Sequence, residues 1–346
     1  MGVEIFLKSK VLCITHNNIL SFRKGKLLLS SYDNPRKIRQ SCRLKHIMTN
    51  LGQRLFRLEP RLAMPIDETH YLVTFNGAVL NYDVATNTVT VEHVFEKGMK
   101  NPLNLCSFVD SKGQREFYYG EYIWNTEKGE VSIYKRMGNA WQVVYSFPQA
   151  TIAHIHNIIY DSKNERFIIL TGDEDSESAI WVADMNFTCV KKLIGNKQKY
   201  RSCVAFIEDN YLIYATDTPL ENNYIYKLNL STLELTTICN LPGSCIYGTK
   251  IENSMYFATA VEPDSSLPVW RYRLTRKLGK GIKDRYSHLY SLEIGGAAKE
   301  IFKLKKDFYP LWLFQFGNMM FPYNETDELF ITTQSVKPKH GVTIRL

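Results

Sequence analysis

The sequence predicts an all-β propeller, a single ring spanning residues 1–346. Three observations carry that expectation: a repeated strand pattern, a near-constant spacing between its copies, and enrichment in strand-forming side chains. The chain contains 21 Tyr and 18 Phe, and aromatics make up 13% of its 346 residues. Aromatic and β-branched residues suit a pleated, half-buried surface.

In the repeat, a short apolar run ends in a small residue, meets an acidic or polar one, and leads to a second apolar run. Copies begin at Lys26, Tyr71, Phe117, Phe167, Tyr211, Met255 and Glu328. Their anchors are Ser30, Thr74, Gly120, Gly172, Thr216, Thr259 and Thr332, separated by 44, 46, 52, 44, 43 and 73 residues. A four-stranded propeller blade occupies roughly 40–50 residues. Seven anchors predict seven four-stranded blades, with six and a split closure as the alternative. The long final gap predicts a basic insertion at about 274–300. Polar clusters such as Asp161–Glu165, Glu208–Asn210 and Asn324–Asp327 supply hairpin turns between the runs. No strong amphipathic helix competes with this pattern.

Seven cysteines, an odd number without CxxC spacing, predict free thiols in a reducing compartment, and hence a cytoplasmic protein. The N-terminus has neither the basic start nor the apolar run of a signal peptide. No apolar run reaches the roughly 18–20 residues of a transmembrane segment. A net charge of +8 favours anionic partners without choosing among them. GxGxxG, P-loop, HExxH and GxSxG motifs are absent, which disfavours nucleotide-dependent chemistry and serine hydrolysis.

Val131-Ser-Ile-Tyr-Lys-Arg-Met-Gly-Asn-Ala-Trp141 resembles the BNR, or Asp-box, repeat of sialidase-like propellers. Gly138 and Trp141 match that repeat, whereas Tyr134 and Arg136 stand at its Ser and Asp positions. Phe56-Arg-Leu-Glu-Pro60 resembles the sialidase Phe-Arg-Ile-Pro signature with an extra Glu59. The resemblance implies a BNR-like propeller and points towards glycans. A sialidase also needs an arginine triad, for which Arg57, Arg201 and Arg271 or Arg273 are candidates.

The most informative stretch is Ala153-His-Ile-His-Asn157, followed by Thr171-Gly-Asp-Glu-Asp-Ser-Glu177. Residues two apart in a strand share a face, so His154 and His156 project together. With Asp173, Asp175 and Glu177 nearby, they can act as base and charge stabiliser or hold a divalent metal. Metal ligand candidates are His154, His156 and Asp175. The competing reading makes one histidine a core hydrogen-bonding group at a blade junction.

Acids after the anchors form a second set: Glu121, Asp173, Asp217 and Glu262. Equivalent places in successive blades face a common axis, so these acids predict a ring around one mouth. The alternative is that they cap strand ends or pair with Arg57 and Arg201. Tyr122, Trp124 and Tyr247 are candidates to stack on sugar rings. Two basic runs, Arg36–His46 and Arg271–Arg285, suit an anionic ligand or a solvated edge.

These features predict a carbohydrate-recognising or carbohydrate-processing propeller for an acidic glycan, with hydrolase or lyase type chemistry. His154, His156, Asp173 and Asp217 are the catalytic candidates. Arg57, Glu121, Tyr122, Arg201 and Glu262 are the substrate-binding candidates. The rival is a non-catalytic scaffold with a protein partner. Nucleic acid is disfavoured, because no nucleic-acid-binding module accompanies the basic runs.

Overall fold

A computed structural model describes residues 5–44 and 50–346. Seven antiparallel blades form a ring, and the first six are each laid down from the axis outward. Blade 1 comprises Lys10–Ile14, Asn18–Arg23, Lys26–Ser31 and Ile38–Arg43. Blade 2 comprises Ala63–Pro65, His70–Phe75, Ala78–Asp83 and Thr88–Val94. Blade 3 runs from Cys106 to Phe147, blade 4 from Ile155 to Gly195, blade 5 from Ser202 to Leu241, and blade 6 from Cys245 to Lys305.

Blade 7 closes the ring with strands from both ends of the chain. Asn318–Met320, Phe330–Gln334 and Thr343–Arg345 supply three strands, and Ile5–Leu7 pairs with the last. The closure is pinned internally: the Val11 amide donates to Thr343 Oγ1 at 3.0 Å. Tyr323–Asn324 adds a short parallel pairing to the inner strand of blade 1.

The cores lie between blades. Phe117, Tyr119 and Trp141 of blade 3 pack with Leu72 and Val79 of blade 2, while Phe147 and Ile155 belong to the next cluster. Burying a large apolar side chain stabilises by roughly 1.5–3 kcal/mol, so these seams carry most of the favourable energy of the ring. Gly120 has a local packing role: a Cβ there would lie 2.5 Å from Ile155 Cβ. Its absence lets blades 3 and 4 close beside His154.

Three sequence expectations are displaced. Ser30 belongs to the third strand of blade 1, because the second strand, Asn18–Arg23, is an equally apolar run. The insertion falls at residues 260–285 rather than about 274–300. Tyr286–Glu293 and Lys299–Lys305 are the third and fourth strands and complete blade 6. Two short helices, Asn50–Phe56 and Val269–Leu274, interrupt the all-strand pattern.

The Gly138–Trp141 turn joins the outer strands of blade 3, where an Asp-box sits. Its chemistry differs from that motif. Arg136 forms a two-point pair with Glu92 of blade 2 at 2.8 and 2.9 Å, and Trp141 Nε1 donates to the same carboxylate at 2.9 Å. The turn is therefore an inter-blade clamp.

Candidate functional site

Inner strands begin, and second strands end, at the same face of the ring, because the two strands are antiparallel. Residues just before or early in an inner strand therefore meet residues just after a second strand. His154, His156, Arg201 and Cys203 come from the first group, and Tyr122, Asp173, Asp217 and Glu262 from the second.

A backbone device refines this placement. The inner strands of blades 4, 5 and 6 each carry a register shift at the second residue: His156, Cys203 and Ile246. A bulge leaves one residue unpaired and re-aims its side chain. It turns His156 and Cys203 of adjacent blades towards the same place.

His154 and His156 are buried, with their Nε2 atoms 3.0 Å apart. The Ser202 carbonyl lies 3.1 Å from His156 Nδ1. A carbonyl only accepts, so Nδ1 carries a proton and Nε2 is the nitrogen turned to the mouth. Asp173 completes the group, its carboxylate oxygens 3.5 Å from His154 Nε2 and 3.4 Å from His156 Nε2. Two nitrogens each about 2.1 Å from one ion sit about 3–3.5 Å apart, so this donor set fits a single divalent cation.

Arg201 organises the acids. It pairs with Asp173 Oδ1 at 2.9 Å, donates to the Asp173 carbonyl at 2.9 Å, and approaches Asp217 Oδ2 at 3.8 Å. Burial opposes the Asp173 charge, but Arg201 and His154 hold its carboxyl well below the usual range. Asp173 still keeps 45% of its side chain open to solvent. Glu262 behaves in the opposite way: burial, then the neighbouring Asp217 charge, push its carboxyl upward. Asp217 Oδ1, Glu262 Oε2 and Arg201 Nε are buried without a hydrogen-bond partner. Buried orphan atoms are uncommon, and their clustering marks a place suited to a ligand.

Beside the acids lies a cationic, aromatic wall. Arg61 donates to Tyr247 Oη at 3.0 Å and faces the Tyr122 and Tyr247 rings at 5.6 and 5.9 Å. Arg57 donates to the Trp312 carbonyl at 2.9 Å and lies 4.8 Å from that ring. Burial, then Arg61, lowers the pKa of Arg57. Neither guanidinium has a carboxylate partner among the described residues. Tyr122 packs edge-on against His154 at 4.7 Å, joining the wall to the histidines.

The structure thus brings together His154, His156, Asp173, Asp217, Arg201, Glu262 and Tyr122, with Arg57 at the rim. It does not bring in Glu121 or Asp175. Glu121 is buried in the seam between blades 2 and 3, accepting from Lys97 Nζ at 2.8 Å and the Ser132 amide at 2.8 Å. Asp175 is exposed. The strand ends at Thr171, and Glu177 and Ser178 turn back to the Glu174 carbonyl, so the two-residue periodicity stops before Asp175. Glu177 is held by Lys128 and the Ala153 amide.

Trp124 is 83% exposed and stands apart. Arg271 and Arg273 lie over Trp270 and Trp312 at 5.0 and 5.1 Å. Arg36–Arg43 lines an exposed outer strand, while Lys45 and His46 of the same run lie outside the described residues. Arg61, Cys203 and Trp312 escaped sequence reasoning. Cys203 alone left a signal, since it occupies the blade-5 counterpart of His156.

No family model matches the chain, and no curated protein matches significantly. Solved structures share the fold at low identity. An oligogalacturonate lyase in complex with manganese is 13% identical, with a TM-score of 0.54 over 98% of this chain and 89% of that one. An oligogalacturonate lyase from Vibrio parahaemolyticus is 14% identical, with a TM-score of 0.51 over 100% and 92%. A dihydro-heme d1 dehydrogenase is 14% identical, with a TM-score of 0.52; this chain is covered over 96% and spans 62% of that one. These likenesses establish the seven-bladed propeller, and BNR membership is not among them.

Proposed function

We propose that the mouth recognises and processes an acidic carbohydrate, with a divalent metal held by His154, His156 and Asp173. The observation that carries this reading is the convergence of that donor set with two guanidinium groups lacking acidic partners. Guanidinium groups without acidic partners are free to form charge-assisted, two-point hydrogen bonds to an anionic ligand. Arg57 and Arg61 would grip a sugar carboxylate while Tyr122 and Tyr247 offer faces to the ring.

A bound divalent metal would polarise the sugar carboxylate and neutralise charge developing beside it. Around that group, His154 and His156 would offer their Nε2 lone pairs to the metal, and Arg201 keeps Asp173 ionised. Glu262, whose carboxyl is pushed upward by burial and then by the neighbouring Asp217, would act as the proton donor. This division of labour suits lyase or hydrolase type chemistry. The oligogalacturonate lyases that share this fold, one in complex with manganese, support this choice of ligand class.

A second reading, a scaffold for a protein partner, draws on the Val269–Leu274 helix, which buries none of its residues and leaves Trp270 63% exposed. Free thiols at all seven cysteines support placement in a reducing compartment. No helix of the described residues is long and apolar enough to cross a membrane.

The test pairs metal analysis with calorimetric titration of a uronic-acid oligosaccharide and its neutral counterpart. We expect stoichiometric metal, lost in a His154→Ala/His156→Ala variant, and at least about tenfold preference for the acidic sugar. An Arg57→Ala/Arg61→Ala variant should lose that preference while keeping the metal. Ultraviolet absorbance of a new double bond separates elimination from hydrolysis. Absence of metal together with no binding of either sugar would overturn the reading.

A further inference from the structure

The histidine cluster has a neighbour that the reading above leaves unused. A nitrogen of His156, the Cys203 sulfur and an Asp217 carboxylate oxygen lie within 4.8 Å of one another. All three residues are buried. The His156 ring therefore belongs to two potential ligand sets, His154–Asp173 and Cys203–Asp217. The bulges of blades 4 and 5 place His156 and Cys203 at corresponding positions, so the second set is built by the same backbone device as the first.

Two further observations point to a ligand. Asp217 is 5% exposed, and its Oδ1 has no hydrogen-bond partner. Its other oxygen accepts from Cys203 Sγ at 3.1 Å. A thiol is a weak donor, and a fully buried carboxylate is poorly satisfied by one such bond and an arginine 3.8 Å away. A small cation would fit the gap better than the thiol proton does. Thiolate, imidazole and carboxylate bind zinc at about 2.0–2.3 Å, distances compatible with donors this close together.

We propose that Cys203 is a ligand of the metal centre in the mouth and makes that centre selective for a thiophilic ion, zinc before manganese. On binding, the Cys203 S–H bond breaks, a metal–sulfur bond forms, and the proton leaves to solvent through the mouth. No redox change is involved. The inference rests on the reading that the mouth holds a metal. It adds that sulfur, absent from the His154–His156–Asp173 set, decides which metal. Soft thiolate selects zinc over hard, oxygen-preferring ions such as manganese.

The experiment titrates cobalt(II), zinc(II) and manganese(II) into chelator-treated full-length protein and a Cys203→Ser variant. Cobalt reports directly on sulfur through a near-ultraviolet thiolate-to-metal charge-transfer band. We expect this band in the wild type and its loss in Cys203→Ser. Zinc affinity should fall at least about tenfold, no less than loss of an outer-shell partner costs. Manganese affinity should stay within about twofold.

Cobalt binding without the charge-transfer band overturns the proposal while leaving the histidine–aspartate centre standing. Unchanged zinc affinity in a folded Cys203→Ser variant does the same. If the wild type binds none of the three ions, this proposal falls and so does the metal part of the reading above, while its acidic-sugar part is decided by the calorimetric titration. The wild-type cobalt spectrum decides the matter even if the variant does not fold.

Discussion

Glu121 and Asp173 follow the second strands of adjacent blades, and their sequence contexts are alike. Their fates differ. Glu121 turns into the seam between blades 2 and 3, where Lys97 and the Ser132 amide satisfy it. Asp173 stays in the mouth, held by Arg201 and faced by two histidines. Neighbours separate them: blade 2 sends a lysine towards Glu121, while blade 5 sends an arginine that fixes Asp173 without closing it off. An acid at a repeat position becomes structural or functional according to what the adjacent blade contributes.

The sharpest way to break this contrast is to remove the partner of Glu121. Lys97→Met leaves a buried carboxylate with only backbone support. Loss of one member of a fully buried pair costs about 3–5 kcal/mol, and the part-exposed lysine brings the expected cost to about 2–3 kcal/mol. Urea unfolding should show this loss, with metal content unchanged. Loss of metal instead would place Glu121 in the site.

A second structural acid sharpens the comparison through pH. Glu59 is buried against Lys10 at 3.5 Å and His340 at 2.9 Å. Burial raises its pKa, but Lys10 and His340 outweigh this and bring it from 4.5 down to about 2. A depressed pKa stabilises the fold above the unfolded value. That contribution is lost as pH falls from 4.5 through about 2. It amounts to about 3 kcal/mol at most. Glu59→Gln should flatten the stability profile across this window, and a profile as steep as wild type would refute the assignment.

Gly120 tests the seam that supports His154. Gly120→Ala places a methyl against Ile155, with an expected cost of about 1–3 kcal/mol from overpacking. A shift of the thermal midpoint with weakened metal binding would show that the seam positions the histidine. The smallest effect belongs to Asp175→Asn, expected within about 0.5 kcal/mol in stability. Its metal affinity should match wild type; a marked loss would restore Asp175 to the site.

The sequence by itself determined much of the architecture. Its alternating apolar runs, polar turns and near-constant spacing are local features, and each blade is built mainly from local hairpins. The same periodicity announced the His154–His156 pair, because side chains two apart share a face. It failed at Asp175, where the strand had already ended, and at Ser30, where two neighbouring apolar runs were equally good strands. Tertiary structure alone decided which acids face the mouth, that Arg61 joins Arg57 there, and that Cys203 lies beside His156. Such relations cross blade boundaries, and the His156–Ser202 contact spans 46 residues of chain. They depend on bulges and on the partners supplied by the next blade, which no local pattern encodes.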